Sequence, residues 1–185
     1  MSDPKDSFSI NYDWRDLAAN SRDMIGIHNT DGQFLWVSKA VTDLLGYQPE
    51  EIIGLTPYDL MHEEDIAKVR NDAHQPMLED LFSKREFTMR LRHKQGHYVW
   101  LETLARTSKR DENGKVKEMQ SFSREITEKK KIIDRLEITT KRYEQAQSIA
   151  NIGSWELNHE NNKVIWSNEV YHIFGLDKDE FQPTY

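Results

Sequence analysis

The sequence contains no cysteine, and this absence removes several classes of chemistry. Without a thiol the chain cannot form a disulfide, a thiolate metal site, a cysteine nucleophile or the cysteinyl adduct of a flavin photoreceptor. The sequence also has no apolar run long enough to cross a bilayer, and residues 1–7 contain no apolar stretch of the kind that opens a secretory signal. We therefore expect no membrane segment in this chain and a cytoplasmic location.

Motifs of common catalytic and nucleic-acid-binding domains are missing as well. There is no glycine-rich phosphate loop, nucleophile elbow or metalloprotease helix, so we predict no catalytic residue. Acidic residues outnumber basic ones, 32 against 25, whereas nucleic acid attracts a basic face. No pair of histidines has the spacing of a convincing metal site. The sequence therefore predicts a non-enzymatic protein without a metal and without a nucleic-acid partner.

An internal repeat is the most informative feature that the sequence does contain. Residues 33–51 return in the same order as residues 162–180, with Ser38 matching Ser167 and Gly46 matching Gly175. Such self-similarity is typical of tandem copies of one structural unit. The second copy stops at Tyr185, so we expect one whole module, a connector and part of a second module.

The pattern of turns and apolar residues predicts an α+β fold. Asp31-Gly32 separates two short strand candidates, residues 24–29 and 34–37. Several short helices follow, the last beginning at His62 and interrupted at Pro76. Three longer strands with period-two alternation then run to Arg124. This order indicates five antiparallel strands with helices grouped on one side.

Two further helices are predicted at the ends of this unit. Residues 10–20 place Trp14, Leu17 and Ala18 on one face, and residues 126–150 contain neither glycine nor proline. The longer helix carries a weak apolar strip that includes Ile132, Leu136 and Tyr143. Such a helix buries little by itself, so we predict a homodimer through the N-terminal and connector helices.

These residues resemble the PAS family of sensory domains. The resemblance rests on a set of motifs taken together: Asp31-Gly32, Trp36-Val37-Ser38, Leu44-Leu45-Gly46-Tyr47-Gln48-Pro49-Glu50-Glu51, Leu60-Met61-His62-Glu63-Glu64-Asp65, Arg92-His93-Lys94-Gln95-Gly96-His97-Tyr98-Val99-Trp100, Asp111-Glu112-Asn113-Gly114 and Ser123-Arg124-Glu125-Ile126-Thr127. In the last motif Glu125 stands where the family usually carries aspartate. The resemblance implies the PAS fold, a five-stranded antiparallel sheet that cradles short helices.

The resemblance also implies a division of the chain and a role. It predicts an N-terminal cap helix (1–20), a complete PAS domain (21–127), a connector helix (128–150) and the N-terminal part of a second PAS domain (151–185). The role is that of a non-catalytic sensory module in a tandem, bacterial-type signalling protein, whose output domain would be a histidine kinase or a diguanylate cyclase. One alternative is a ligand-free dimerisation module, and another is a haem or flavin redox sensor.

The family's pocket between sheet and helices holds a flavin, a haem, a small carboxylate or nothing, so the ligand stays open and no cofactor is expected. Candidate pocket residues are apolar positions on the strands: Trp36, Phe87, Met89, Leu91, Val99, Leu101 and Phe122. His74 is a weak candidate for a haem ligand, against the simpler interpretation of a solvated helix-end residue. The signal junction is predicted at Arg124, Glu125, Ile126 and Thr127, where Arg124 and Glu125 could form a switchable ion pair with the connector.

Overall fold

The structure is a computed structural model that describes Ala18, residues 20–79 and residues 84–184. The predicted cap helix, except Ala18 and Asn20, therefore lies outside the described residues. The chain separates into two compact units, Met1–Thr127 and Glu128–Tyr185, and each is described by itself.

The first unit is built on a five-stranded antiparallel sheet. Its strands are β1 (Met24–Asn29), β2 (Phe34–Val37), β3 (Lys84–Arg92), β4 (Tyr98–Arg110) and β5 (Val116–Glu125), in the spatial order β2-β1-β5-β4-β3. The last strand in the chain thus lies at the centre of the sheet, between β1 and β4. The predicted α+β class and five-stranded antiparallel sheet are confirmed.

Short helices connect β2 to β3. They are α1 (Ala40–Leu45), α2 (Pro49–Ile52), α3 (Pro57–Leu60), α4 (Glu63–Val69), a π-helical segment (Arg70–His74) and α5 (Gln75–Leu78). Both α2 and α3 begin with a proline behind a capping box, which satisfies backbone donors that a helix start leaves unpaired. Pro76 lies in the first turn of α5, where a missing N–H costs little, so the helical path continues past the expected interruption.

The hydrophobic core lies between the helices and one face of the sheet. Its almost fully buried members come from strands and helices alike: Met24, Val41, Leu45, Ile52, Leu91 and Leu101. Successive side chains of a strand point to opposite faces, so this inner face alternates with a more polar outer one.

A bulge in β2 breaks this alternation. Ile27 pairs with Trp36, but the next residue of β1, His28, pairs with Phe34, so Leu35 has no partner opposite. The extra residue lets both Phe34 and Val37 reach the core and leaves Trp36 on the outer face with Ile27. The prediction that Trp36 lines a pocket is therefore wrong, because strict alternation does not hold across the bulge.

The second unit contains the long helix and a hairpin. The helix α6 (Thr127–Ala150) is followed by β6 (Trp155–Asn158), β7 (Lys163–Trp166) and α7 (Asn168–Phe174). In the part of the chain that the structure describes, no helix is both long enough and apolar enough to span a membrane.

The sequence repeat is also a repeat of local structure. Ser38 donates its N–H to the Ile25 carbonyl at 2.8 Å and accepts the Ile25 N–H on its hydroxyl at 3.0 Å. Ser167 makes the same pair with Ser154, again at 2.8 and 3.0 Å. Both serines thus tie the strand-to-helix corner of their hairpin to the first strand.

An ion pair fastens α4 to the sheet edge. The backbone N–H and Nε of Arg90 donate to Asp65 Oδ2 at 2.8 and 2.9 Å, and Nη2 donates to Oδ1 at 2.7 Å. Both side chains are largely buried. These hydrogen bonds hold the pKa of the Asp65 carboxyl below its usual value, against the smaller opposing effect of burial.

We predict that Asp65→Asn lowers the free energy of unfolding at pH 7 by about 1.5–3 kcal/mol, because hydrogen bonds to a charged group are lost. The stabilisation is present above the unfolded-state pKa of about 3.9 and is lost as pH falls through the depressed folded-state pKa. Urea unfolding at pH 7 and in acid should show the two proteins converging in acid. Asp43→Asn, the same change at an exposed position of α1, should behave as wild type, and an equal loss there would contradict the assignment.

Candidate functional site

A cavity of about 70 Å³ lies between the inner face of the sheet and the helices. All five strands contribute to its wall, and α3, the π-helical segment and α5 close it from the other side. A single water needs roughly 10–15 Å³, so several waters or one small molecule fit. Pockets for drug-sized ligands are larger, about 300–1,000 Å³.

A row of small side chains explains why the cavity lies here. Gly26, Ser121 and Ala105 are directly paired across β1, β5 and β4. Larger residues on either side of this row, such as Phe87 and Met119, form the side walls. The centre of the sheet is therefore recessed, and the helices above do not fill the space.

Gly26 is needed for the close approach of two polar groups in this recess. A Cβ at this position would lie 2.7 Å from both His28 Nε2 and Ser121 Oγ. Those two atoms are themselves hydrogen-bonded at 2.8 Å. Glycine thus leaves room for a buried histidine–serine pair above the strand.

His28 is buried in the wall and held in one tautomer. Its Nδ1 lies 3.1 Å from the Gly32 carbonyl, which can only accept, so Nδ1 donates and Nε2 accepts from the Ser121 hydroxyl. The ring also packs on Phe34, with centroids 4.3 Å apart. Burial lowers the pKa of His28 to about 4, because the charged imidazolium would lose its hydration.

His74 is held in the opposite tautomer. Its Nε2 donates to the Thr30 carbonyl at 3.1 Å, and Nδ1 accepts from the Tyr58 hydroxyl at 2.8 Å. Burial lowers its pKa as well. The interpretation of His74 as a solvated helix-end residue is wrong, because it lines the cavity and both ring nitrogens are bonded. Iron ligation would require one of these bonds to break.

The two histidines hold the same turn. Thr30 and Gly32 both belong to the β1–β2 hairpin, and Gly32 has a positive φ of 84° that favours glycine. The hairpin is therefore tied to the cavity wall by an imidazole from β1 and an imidazole from the π-helical segment.

The pocket residues predicted from sequence are only partly brought together. Phe87 and Met89 line the cavity. Leu91, Val99 and Leu101 are buried in the core but lie outside the cavity wall. Trp36 and Phe122 do not line it either. Phe122 lies on the outer face, where the Arg106 guanidinium is 5.2 Å from the ring centroid, because the inward positions of β5 are Met119, Ser121 and Ser123.

Sequence reasoning missed the polar wall residues His28, Ser121 and Tyr58. The available signal was His28, two residues after Gly26 in the same strand. It lies on the same side of the strand as the buried Met24. Its partner Ser121 could not be identified without knowing that β1 pairs with β5.

The predicted junction is built onto β4. Ile126 is buried and donates its N–H to the Trp100 carbonyl at 2.9 Å, and the Thr127 hydroxyl accepts the Trp100 N–H at 3.1 Å. Arg124 pairs with Asp23, at 3.0 and 2.8 Å, and Glu125 is exposed. The predicted ion pair between Arg124 and the connector is therefore wrong, because Arg124 pairs with Asp23.

Among the described residues that line the cavity there is no aspartate, glutamate, lysine or arginine. Arg90 is bonded to Asp65 and Glu64, and Arg106 donates to Gln120 Oε1 at 3.0 and 2.8 Å. Among the described residues there is also no cluster of three acidic or histidine side chains that could hold a metal ion. The site is thus an apolar chamber with internally paired polar groups.

We predict a stability change with pH that depends on His28. Because its folded-state pKa is about 4 and its unfolded value about 6.5, the stabilisation is complete above pH 6.5 and is lost as pH falls towards 4, on the order of 3 kcal/mol in total. The neutral variant His28→Gln should show a shallower slope in this window in urea unfolding. His159→Gln, the same change at an exposed position, serves as the control. Equal slopes for wild type and His28→Gln would refute the prediction.

Known proteins share this architecture. Over 93 residues the chain is 32% identical to hypoxia-inducible factor 1-alpha of Gallus gallus, an alignment that covers 49% of this chain and 11% of that protein. The chain thus spans about a tenth of the length of such curated relatives.

Two solved structures extend the comparison. The Cycle PAS-B domain of Drosophila melanogaster with bound ethylene glycol is 25% identical with a TM-score of 0.50, covering 55% of this chain and 98% of that one. The N-terminal domain of a diguanylate cyclase with PAS/PAC sensor from Marinobacter aquaeolei is 23% identical, with a TM-score of 0.51. It covers 58% of this chain and 97% of that one, and at this identity it shows the fold alone.

A family model described as the PAS fold matches residues 25–123, which is more than half of the chain. The match runs from Ile25 in β1 to Ser123 in β5 and so includes part or all of every strand of the first sheet and every cavity-wall residue except Met24. The family expected from the sequence motifs is therefore confirmed: this chain belongs to the PAS family.

Proposed function

We propose that residues 21–127 form a non-catalytic sensory module that binds a small molecule in the cavity and passes the change to α6. The observation that carries this proposal is the position of β5. Met119, Ser121 and Ser123 of this strand line the cavity, and the strand ends at Glu125, two residues before α6 begins. One central strand therefore joins the site to the connector helix.

The bonds around β5 provide a physical path for the change. Inside the cavity, the Ser123 and Thr103 hydroxyls are hydrogen-bonded at 2.9 Å, which ties β5 to β4. Just beyond, Ile126 and Thr127 are tied to Trp100, also on β4. A ligand that binds one arrangement of these strands more tightly than another shifts the population of the junction by that difference in affinity.

We predict that filling the cavity alters the junction. Ala73→Leu places extra apolar volume in the cavity and should be tolerated, whereas Ala40→Leu overpacks the closed core and should cost about 1–3 kcal/mol. The exchange rate and chemical shift of the Ile126 amide, measured by NMR, should change in Ala73→Leu. They should change less in Ala40→Leu. An Ile126 amide that responds equally to both variants would exclude a specific relay from the cavity.

We also propose that residues 151–185 begin a second PAS module. This rests on the motif repeat and on the identical serine hydrogen bonds at Ser38 and Ser167. A tandem of such modules suits a multidomain signalling protein, and a histidine kinase or diguanylate cyclase remains our proposed parent. The similarity to hypoxia-inducible factor 1-alpha favours neither output.

We further propose that the module forms a homodimer through α6 and the predicted helix 10–20. The apolar strip of α6 is uncovered within its own unit, with exposed fractions of 66% at Ile132, 65% at Leu136 and 59% at Tyr143. A helix gains most of its stability from packing of such a face, and a parallel copy of α6 offers the same strip. The strip also supports the alternative of a module used for dimerisation without a ligand.

We predict that Leu136→Glu weakens the dimer at least about tenfold, because the charge enters the proposed helix seam. Ile138→Glu is a matched control. Ile138 is similarly exposed, but it follows Leu136 by two residues and so lies on a different face of the helix from the strip. Sedimentation equilibrium would measure both dissociation constants. A monomeric wild type at high micromolar concentration, or an equal effect of both variants, would contradict the proposed seam.

A further inference from the structure

We infer that the cavity takes a small, uncharged, mainly apolar molecule, and not a flavin, a haem or a carboxylate. This inference rests on the proposed function, in which the cavity is the ligand site, and it specifies the class of ligand. Four properties of the wall support it: its methionines, its paired polar groups, its lack of charge and its volume.

All the methionines of the chain except Met1 lie in the wall of this one cavity: Met24, Met61, Met77, Met89 and Met119. Each of them is at most 6% exposed. Methionine is unbranched and polarisable, so it adapts its shape to an apolar guest and makes favourable contacts with aromatic rings. Concentrating these side chains around one space produces a wall that deforms and offers mainly dispersion contacts.

The polar side chains of the wall already bond to protein partners. His28 bonds to Gly32 and Ser121, Thr103 bonds to Ser123, and Tyr58 bonds to His74. The donors of His28, Ser121 and Tyr58 are already used, so a ligand acceptor at these groups would have to break a pair, and a buried group left without its partner costs about 1–3 kcal/mol. An apolar ligand leaves them intact.

Anionic ligands find little counter-charge here, because the Arg70 guanidinium, 5.1 Å from the Tyr58 ring centroid, belongs to an exposed residue. The wall residues that the structure describes include no lysine or arginine, and His28 is held neutral between an acceptor carbonyl and the Ser121 hydroxyl. A carboxylate, a flavin phosphate or a haem propionate within this chamber would be buried without a cationic partner, which is strongly unfavourable.

The volume of the cavity indicates the size of the ligand. The cavity of about 70 Å³ is roughly half of an engineered cavity of ~150 Å³ that holds benzene. Rotamer changes of the methionines can supply further space. With such rotamer changes, the chamber best matches a molecule of about one aromatic ring.

The test uses the full chain with methyl-¹³C-labelled methionine, whose five internal methyl groups report directly from the wall. Toluene, glycerol and flavin mononucleotide are titrated separately. We expect toluene to shift these methyl signals saturably and to raise the unfolding temperature, and we expect no saturable shift from the other two probes. Ala73→Leu, which occupies the same space, should weaken toluene binding at least about tenfold.

A saturable shift by glycerol or flavin mononucleotide that is tighter than that by toluene would overturn the inferred ligand class. So would the absence of any shift up to the solubility limit of toluene. The wild-type titration alone decides this even if Ala73→Leu fails to fold. The relay is judged separately from the Ile126 amide: toluene binding without a response there would refute the proposed function and leave the ligand class standing.

Discussion

The row of small residues across the three central strands is the constraint on which the site depends. Gly26, Ser121 and Ala105 meet because β1 pairs with β5 and β5 pairs with β4. Close packing normally leaves few voids larger than a water molecule in a domain core, so a recess of this size needs such a row. The buried His28–Ser121 pair, the methionine walls and the space between them all follow from the volume that these three residues do not occupy.

The β1–β2 hairpin is held by hydrogen bonds as well as by packing. Two neutral imidazoles in opposite tautomers donate to carbonyls of one turn, and two hydroxyls complete their bonds. A neutral imidazole offers one donor and one acceptor, so each ring specifies the orientation of both partners. The hairpin and the chamber therefore form one hydrogen-bonded unit, and rearranging either involves the other.

Much of the fold follows from local signals in the sequence, and the site does not. Turn residues such as Asp31-Gly32 and the alternation of Phe87, Met89 and Leu91 predict the strands correctly, because both signals act over a few residues. Trp36 is misplaced because one unpaired residue in β2 reverses the side that each following position faces. The cavity depends on partners such as His28 and Ser121, which are 93 positions apart and meet only through the order of strands.

The π-helical segment Arg70–His74 has a consequence for how this module compares with its relatives. A π turn accommodates one more residue than an α turn, and such turns often occur at functional sites. The π turn therefore absorbs one residue without rotating the helix beyond it by the roughly 100° that an extra residue adds to an α-helix. His74, the last residue of this segment, keeps its imidazole in position to bond Thr30. A homologue one residue shorter here, with an α turn in place of the π turn, would keep the same orientation beyond the turn, so a one-residue alignment gap in this segment marks a lost π turn and not a rearranged chamber.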